Sequence, residues 1–326
     1  MIILRRPQTD PYFNMATEEY LLKSKEDDYC MLWQNNPSVI VGKHQNTLAE
    51  INFYYLKKNN IPVVRRISGG GTVYHDKGNI NFTFIRKGEK GKLVDFRMFI
   101  DPMIESLKDL GVDARFEGKN NIRIGNLKIS GNSEHVYKNK VLHHGTLLYS
   151  SDLNRLGNSI KRNSGSFKDK AVQSIRTEVA NISSFLDEKI PVEEFKEKLL
   201  ERIALRMETT QDAILSKSDI EAIEELVKTK YKTWQWNFGY SPEYIFTNSS
   251  LYQNNRIDIT MNVKNGKIVQ AFFEFSGKDV KFDHFIQEIL SGRYHAYPEI
   301  EKILEKYRDE LNNWHLKPDI MLQLLF

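Results

Sequence analysis

The segment from Arg65 to Asp76, Arg-Arg-Ile-Ser-Gly-Gly-Gly-Thr-Val-Tyr-His-Asp, places the tightest constraint on how this chain can fold. Its three consecutive glycines lack a Cβ, so their backbone can adopt positive φ and turn its amides toward an anion. The apolar run 61–64 before them and the alternating run 80–84 after them predict strands, so we expect a loop held at both ends by a sheet. This composition is typical of a phosphate or carboxylate cradle, and also of a turn without a ligand.

The same segment excludes two common nucleotide motifs. It is not a P-loop, because no Gly-Lys-Ser/Thr follows, and it is not a dinucleotide fingerprint, because the glycines are contiguous and no helix pattern opens at the third. Arg65 and Arg66 follow an apolar strand and cannot both face the core. We therefore expect at least one of them to be free to bind an anion.

Composition narrows the class of protein. A length of 326 residues predicts about two domains, and 47 basic against 43 acidic residues give a formal charge of +4, which does not indicate nucleic-acid binding. A solvated lysine-rich surface and an acidic or nucleotide partner both fit this charge. The single cysteine, Cys30, excludes an intrachain disulfide and a multi-cysteine metal site and favours the cytoplasm. The chain shows no signal-peptide pattern and no apolar run of about 18 residues, so we expect a soluble protein with no membrane partner.

Periodicity predicts a central sheet with helices on its outside, followed by a small α+β domain. Cys30 falls in an apolar run, where a packing role is favoured over a nucleophilic thiol. The predicted elements are a strand at 2–4, a helix from Asp10-Pro11, a hairpin of 29–33 with 39–42, a short helix at 53–58, a helix at 95–110, strands at 122–124, 127–130, 135–137 and 141–149, a mobile loop at 161–170, helices at 192–208 and 218–229, a hinge at 230–241, a hairpin turned at Asn265-Gly266, and two or three final helices including 282–290.

Arg65-Arg66-x-Ser68-Gly69-Gly70-Gly71-x-Val73-Tyr74-His75-Asp76 resembles the signature loop of lipoate-protein ligases. Several further motifs are similar to that family in the same order, strongly over residues 1–186 and more weakly into the tail. They are Asp10-Pro11-Tyr12-Phe13-Asn14 with Glu18-Glu19, Trp33 to Asn36 with Gln45-Asn46, Lys128-Ile129-Ser130-Gly131, His143-His144-Gly145-Thr146-Leu147, Ser174-Ile175-Arg176 and Trp234-x-Trp236-Asn237-Phe238-Gly239.

The resemblance implies an α/β (α+β) fold like that of biotin and lipoate ligases. A catalytic domain with a mixed sheet would span residues 1–235, and a small accessory α+β domain would span 243–326. It also implies an enzyme that uses ATP and Mg²⁺ to convert lipoate to lipoyl-AMP. The lipoyl group would then pass to a lysine of a 2-oxoacid dehydrogenase lipoyl domain or of the glycine-cleavage H protein, with no nucleic acid involved.

The family's functional residues can be carried over onto the matching positions. Lys128 would contact the reacting carboxylate and phosphate, a role that reverses the reading from spacing alone as a solvated strand lysine. Asn121 stands where the family's aspartate resembles a magnesium ligand, so metal binding rests on an amide; Ala171 also departs from the family's usual glycine. The implied substrate- and ATP-binding residues are Arg65, Ser68, Gly69, Gly70, Gly71, Val73, Tyr74, His75, Asp76, Asn120, Asn121, Ser130, Gly131, His144, Gly145 and Thr146.

Three features leave alternatives open. His75 and Asp76 could form an acid/base pair, but adenylation needs no general base, and a structural or adenine-side role is favoured. His143 and His144 could suggest a metal, but neighbours on a strand face opposite sides, which favours lining or packing roles. The basic segment 161–170 could be a lid over bound nucleotide or a solvated connector.

Three rival functions remain. One is an ATP-independent octanoyl or lipoyl transferase of the same superfamily, which generally wants a cysteine nucleophile or a catalytic lysine. Another is a non-catalytic protein that binds lipoate or lipoyl-AMP. Biotin ligase is disfavoured because its Gly-Arg-Gly pattern differs from the loop of this chain.

Overall fold

The computed structural model describes residues 1–88, 94–160, 165–175, 177–209, 211–253, 255–275 and 280–326. The chain forms two compact units, the first made of residues 1–43, 62–157 and 174–232 and the second of residues 44–61, 158–173 and 233–326. The domain limits of 1–235 and 243–326 stay predictions. Among the described residues, no helix has the length and apolar character needed to cross a membrane.

The first unit combines runs of consecutive strands with a few helices, and the second unit ends in helices. In chain order the elements are β1 Ile2–Leu4, α1 Pro11–Ser24, β2 Tyr29–Trp33, β3 Ser38–Val41, α2 Thr47–Glu50, α3 Phe53–Lys58, β4 Val63–Arg65, β5 Val73–His75, β6 Asn79–Lys87, α4 Phe96–Lys108, β7 Arg115–Glu117, β8 Asn121–Ile124, β9 Leu127–Tyr137, β10 Lys140–Leu148, α5 Leu153–Ser159, β11 Ser166–Asp169, α6 Val192–Arg206, β12 Gln211–Ala213, α7 Lys217–Leu226, β13 Tyr244–Tyr252, β14 Asn255–Lys264, β15 Lys267–Phe275, α8 Val280–Leu290, α9 Tyr297–Lys306, α10 Arg308–Asn312 and α11 Pro318–Leu325.

A mixed sheet with the order β12-β1-β2-β6-β10-β9-β8-β7 organises the first unit. Strands β12, β1 and β2 are parallel, and the remaining pairs are antiparallel. Side chains from β6, α4 and α6 form one apolar cluster with this sheet, while α1 contacts β6 and β10. The predicted central sheet with outer helices is confirmed.

Local signals explain where the main helices begin and end. Asp10 accepts hydrogen bonds from the Tyr12 and Phe13 amides, and Pro11 occupies the first turn, as the sequence predicted for α1. Helix α4 has its predicted apolar face, and the chain leaves it through Gly111 at φ 80°.

Two strand predictions are wrong. The runs 29–33 and 39–42 do not form a hairpin, because β2 pairs with β1 and β6, whereas β3 pairs with β4 and β5 in a separate three-stranded sheet. The polar, proline-containing connection resembles a hairpin loop but carries the chain from one sheet to another. The runs 127–130 and 135–137 are parts of one long strand, β9.

The second unit contains a sheet with the order β11-β13-β14-β15. The predicted turn at Asn265-Gly266 is present, with φ values of 50° and 74°, and the alternating apolar residues of β14 are buried. Four helices, α8 to α11, follow within the described tail, one more than predicted. The tail is therefore α+β, as expected.

Two predicted connections differ from the structure. Residues 166–169 of the expected mobile loop form β11, because Phe167 packs on Tyr244 and Phe246; residues 161–164 lie outside the described residues. The expected hinge, 230–241, contains the end of a π-helical turn at residues 227–231 and all of a second one at residues 235–239. Its role as a hinge stays a prediction.

Candidate active site

The glycine-rich loop lies between β4 and β5, which flank β3 on its two sides. The predicted anchoring of the loop by strands is therefore present, although β5 was not among the predicted strands. Gly70 has φ 87°, a conformation that an L-residue adopts with strain. The backbone of this loop consequently depends on glycine at its centre.

Arg66 holds the loop from the inside. Its guanidinium donates to the carbonyls of Gly69 at 2.6 Å and Gly71 at 2.7 Å, and its Nε donates to the Ser68 hydroxyl at 3.1 Å. Ser133 of β9 adds a hydrogen bond to the Gly69 carbonyl at 3.0 Å. The loop is thus shaped by donors that occupy its carbonyls.

The expectation that one of the two arginines is free is wrong. Arg65 is fully buried and donates to the carbonyls of Gly42 and Lys43, both at 3.0 Å. Arg66 is also buried, and this burial lowers its pKa to about 10. The acceptors of Arg65 are remote in sequence, whereas Arg66 bonds the remote Ile40 carbonyl at 3.2 Å as well as carbonyls of its own loop, so the local pattern did not reveal the burial of both.

A β-bulge in β9 sets the direction of the Lys128 side chain. Ser130 pairs with Ile122 and Lys128 with Arg123, so two steps along β9 oppose one step along β8. Such a bulge breaks the alternation of side chains and redirects the residue next to it. A Cβ on Gly131 would lie 3.1 Å from the Lys128 Nζ, so glycine leaves room beside the ammonium.

The Lys128 ammonium has no hydrogen-bond or ion-pair partner among the described residues, although its side chain is partly buried. Burial lowers the pKa of Lys128, and the positive charges of Arg123 and Arg66 lower it further. Arg123 is ion-paired with Glu117 at 3.0 Å, so an anion in this region would be favoured mainly by the charge of Lys128. Of the predicted site cations Arg65, Arg66 and Lys128, Lys128 is the one whose donors have no acceptor among the described residues.

The strand residues around Lys128 are held by one another. Asn120 donates to the Asn132 carbonyl at 2.9 Å, and Asn132 donates to the Asn120 carbonyl and to the Ser130 hydroxyl. Thr146 accepts the Gly131 amide at 3.4 Å. The Asn120 side-chain amide is therefore occupied by a backbone carbonyl, whereas the Asn121 side chain has no hydrogen bond within the described residues.

Gly145 is required by packing on β10. A Cβ there would lie 2.4 Å from the Phe82 ring and 2.5 Å from the Asn132 Oδ1. Any larger residue would push Asn132 away from Asn120 and Ser130. Gly145 therefore supports the site through its neighbours.

His75 and Asp76 do not form an acid/base pair. The Asp76 carboxylate accepts the amides of Gly78 and Asp152, which makes it a brace for the turns. Burial lowers the pKa of His75 to about 3, with smaller contributions from Arg66 and His144. Asn35 Nδ2 donates to His75 Nδ1 at 3.0 Å, so the neutral ring carries its hydrogen on Nε2, which has no partner among the described residues. Val73 and Tyr74 share β5 with this histidine.

The two adjacent histidines of β10 face opposite sides, as predicted. His143 stacks on Phe99 with ring centroids 4.9 Å apart and contacts Glu134 at 2.9 Å. His144 contacts Glu18 at 2.9 Å and Ser68 at 2.5 Å. No group of three or more histidine, cysteine or acidic residues suited to a metal occurs in the described part of the chain.

Sequence reasoning missed three residues that hold the site. Glu18 was noted only as part of a motif. It could have been recognised as an acidic residue within a helix whose other residues are largely buried. Ser133 bonds Gly69, and Ser174 accepts the Thr72 amide at 2.9 Å. Arg176, in the same motif as Ser174, lies outside the described residues.

Cys30 belongs to the apolar core, away from these groups. It is 1% exposed, and burial raises the pKa of its thiol to about 12. Such a thiol is not a nucleophile near neutral pH. This supports the packing role predicted from the sequence.

Comparisons with known proteins agree with this arrangement. The family model of the lipoyl protein ligase A/B catalytic domain matches residues 10–204. The chain is 42% identical to lipoate-protein ligase 1 of Staphylococcus aureus over 303 residues, 92% of each protein. It is 39% identical to lipoate-protein ligase LplJ of Bacillus subtilis over 302 residues, 91% of each protein.

Solved structures are similar in fold. A bi-partite lipoate protein ligase from Thermoplasma acidophilum, studied with its E2 lipoyl domain, has a TM-score of 0.63 at 25% identity and covers 73% of this chain and 96% of its own. A lipoate-protein ligase A bound with ATP has a TM-score of 0.63 at 26% identity, covering 73% and 98%. The mixed α/β fold expected from the resemblance is confirmed. The chain belongs to the lipoyl protein ligase A/B family and is an enzyme, a lipoate-protein ligase.

Proposed function

We propose that this ligase joins lipoate to ATP as lipoyl-AMP, releases pyrophosphate, and transfers the lipoyl group to the ε-amine of an acceptor lysine. The observation that carries the proposal is the uncompensated Lys128 ammonium beside Gly131, with Arg123 and Arg66 adding positive charge. A carboxylate and an α-phosphate must approach each other for this reaction, and a compact cation between them opposes their repulsion. The ligase A neighbour bound with ATP supports the choice of nucleotide.

The glycine-rich loop would receive the phosphates. Ser68, Gly69, Gly70, Gly71 and the β5 residues Val73, Tyr74 and His75 would bind ATP and lipoate together with Ser130, Gly131, His144, Gly145 and Thr146. Asp76 and the buried Arg65 and Arg66 would act by holding the loop in shape. Asn120 would act in the same way, by joining β8 to β9.

Magnesium fits this site as part of the Mg·ATP substrate, and not as a metal held by the protein alone. Asn121 offers one neutral amide, Asn120 is committed to a backbone carbonyl, and the described residues contain no acidic cluster. Mg²⁺ takes much of its shell from phosphates and water, so one amide oxygen is compatible with the nucleotide complex.

The acceptor would be a lipoyl domain of a 2-oxoacid dehydrogenase acyltransferase, or the glycine-cleavage H protein. The Thermoplasma ligase studied with its E2 lipoyl domain supports the first choice. The single buried cysteine is compatible with a reducing compartment, and we place the reaction in the cytoplasm.

An ATP-independent acyltransferase is the second candidate. Its thiol-dependent form is disfavoured, because Cys30 is buried in the core with a raised pKa, whereas a form that uses a catalytic lysine is separated from the ligase only by its independence of ATP. In a non-catalytic lipoate-binding protein, the Lys128 ammonium would bind the lipoate carboxylate and would take part in no reaction.

The decisive experiment measures pyrophosphate release from Mg·ATP with lipoate, octanoate or biotin as the sole acid. We expect release with lipoate, none without an acid, and little with biotin. Lipoyl transfer from one protein to another with no ATP present would overturn the proposal in favour of the transferase.

A further inference from the structure

Glu18, His144 and Ser68 form a continuous chain of hydrogen bonds that ends on the glycine-rich loop. Both carboxylate oxygens of Glu18 lie within 3.0 Å of the His144 Nδ1, and the His144 Nε2 lies 2.5 Å from the Ser68 Oγ. All three residues are buried, with exposed fractions of 1%, 7% and 0%. They come from α1, β10 and the loop, so the arrangement is invisible to any local motif.

The donors around Ser68 determine which way this chain points. Arg66 Nε can only donate, and it donates to the Ser68 Oγ at 3.1 Å. The Ser68 hydrogen then has one acceptor among the described residues, the His144 Nε2. A neutral His144 with its hydrogen on Nδ1, directed at Glu18, satisfies every group. The order of donation is therefore Arg66 to Ser68, Ser68 to His144, and His144 to Glu18.

The reaction has a step that needs such a chain. A free lysine amine has a pKa of about 10.4, and its nitrogen must lose a proton when it becomes an amide. We propose that His144, aligned by Glu18, receives this proton through Ser68 in the transfer half-reaction; the inference rests on the proposed function.

The step balances in atoms and electrons. The neutral lysine nitrogen forms a bond to the lipoyl carbonyl carbon, and the bond from that carbon to the phosphate oxygen breaks with its electron pair leaving on AMP. One proton passes from the nitrogen to the Ser68 Oγ, while the Ser68 hydroxyl proton passes to the His144 Nε2. Glu18 stabilises the resulting imidazolium, and the proton later returns to solvent.

Several titratable groups interact electrostatically with the relay. The Glu18 charge acts on Arg6, Arg66 and Tyr231, and His144 interacts electrostatically with His75, His135 and His143. Thr83 donates to the same Glu18 oxygen at 2.6 Å and fixes the carboxylate from its other side. A change at Glu18 must therefore be compared with an equivalent change elsewhere.

The chain supplies that control in Glu134. Glu134 is bonded to the neighbouring His143 at 2.9 Å and has a side chain only 4% exposed, but its histidine does not contact the loop. Glu18→Gln and Glu134→Gln thus make the same change beside two adjacent histidines. Ser68→Ala is a second test variant, and it removes a single oxygen.

Two rates are measured for each variant of the full chain. The first is lipoate-dependent pyrophosphate release without an acceptor, and the second is single-turnover transfer from supplied lipoyl-AMP to a lipoyl domain at saturating acceptor. We expect Glu18→Gln and Ser68→Ala to lower the ratio of transfer to adenylation by roughly 100-fold, the scale of general-base catalysis. Glu134→Gln should keep this ratio within about threefold of the wild type.

A second readout separates proton transfer from a structural role. In Glu18→Gln and Ser68→Ala the maximal single-turnover transfer rate should fall, while the lipoyl-domain concentration that gives half of that rate should stay within about threefold of the wild type. Equal changes in the ratio for Glu18→Gln and Glu134→Gln, or unaltered transfer in both test variants, would overturn the relay. Wild-type transfer from lipoyl-AMP without pyrophosphate release from ATP would instead refute the proposed adenylation, and the relay would still be measured.

Discussion

The two sides of strand β10 hold adjacent histidines that are similarly buried but differ in what lies beyond them. His143 stacks on phenylalanines of the core and bonds Glu134, whereas His144 joins Glu18 to Ser68 of the glycine-rich loop. The residue type and its acidic partner are the same on both sides. The difference lies in the contact of the second ring nitrogen, which is the Asn132 Oδ1 at 3.3 Å for His143 and the Ser68 hydroxyl of the loop for His144, so burial and a carboxylate partner alone do not distinguish the two.

The largest effect on activity is expected at Lys128 of β9, near the glycine-rich loop. Two anions about 4 Å apart repel by about 1 kcal/mol in water and several times more in a partly desolvated site, so loss of the ammonium should slow lipoyl-AMP formation at least roughly 100-fold. Lys128→Ala and Lys128→Arg should both show this loss, because a planar guanidinium cannot replace a point charge. Pyrophosphate release measures it, with retained ATP binding as the sign of a folded site.

The matched control is Lys138→Asn, at an exposed lysine in the turn after β9 whose φ of 54° asparagine tolerates. It should retain activity. Near wild-type adenylate formation by either Lys128 variant would show that Lys128 is not the cation of this reaction and would remove the basis of the comparison.

The next effect concerns His75, whose neutral form is held by burial on the loop side. In the folded chain its pKa is about 3, whereas an unfolded histidine takes up a proton near pH 6.5. The unfolded state therefore binds more protons as the pH falls from 6.5 to 3, and the stabilisation present above pH 6.5 is lost at about 1.4 kcal/mol per unit. Between pH 6.5 and 4.5, the wild type should lose ~2–3 kcal/mol more stability than His75→Gln, measured by urea unfolding. Parallel pH dependences would contradict a buried neutral ring.

On the core side, Glu134→Gln should reduce stability and spare chemistry. The substitution removes the charge that His143 contacts and leaves one imperfect hydrogen bond, which costs about 1–3 kcal/mol. Urea unfolding measures the loss, and pyrophosphate release per folded molecule should stay within about threefold of the wild type. A selective loss of catalysis would show that the core side also takes part in the reaction.

The smallest effect is expected from Cys30→Ala. The thiol lies in the apolar cluster, so the variant should lose ~1 kcal/mol of stability and keep its activity within about twofold. Ligation of a lipoyl domain measures the activity. A folded Cys30→Ala protein without activity would revive the thiol-dependent transferase.

Sequence patterns predicted correctly those elements that depend on residues close together in the chain. The cap at Asp10-Pro11 and the turn at Asn265-Gly266 are each set by neighbouring residues, and both are present in the structure. The glycine-rich loop could also be placed between strands, because strands and glycines carry their own patterns. The family resemblance added the identity of the reaction, which no pattern supplied.

The features that could not be predicted depend on partners remote in sequence. Ser68 and His144 are 76 positions apart, and Glu18 and His144 are 126 positions apart. The burial of both Arg65 and Arg66 was not predicted, because it depends on the carbonyls of Gly42 and Lys43 just after β3, on the Ile40 carbonyl of β3 and on the folded shape of the loop. The hairpin prediction failed for the same reason, since both edges of β2 are occupied by other strands.

The central claim is that the enzyme forms lipoyl-AMP at the glycine-rich loop, with Lys128 as the essential cation. The most direct measurement is a single-turnover reaction of stoichiometric enzyme with labelled ATP and lipoate, quenched in the absence of any acceptor protein. The account predicts about one lipoyl-AMP and one pyrophosphate per enzyme molecule, with none from Lys128→Ala. Unchanged ATP, together with lipoyl transfer between two proteins in its absence, would contradict it.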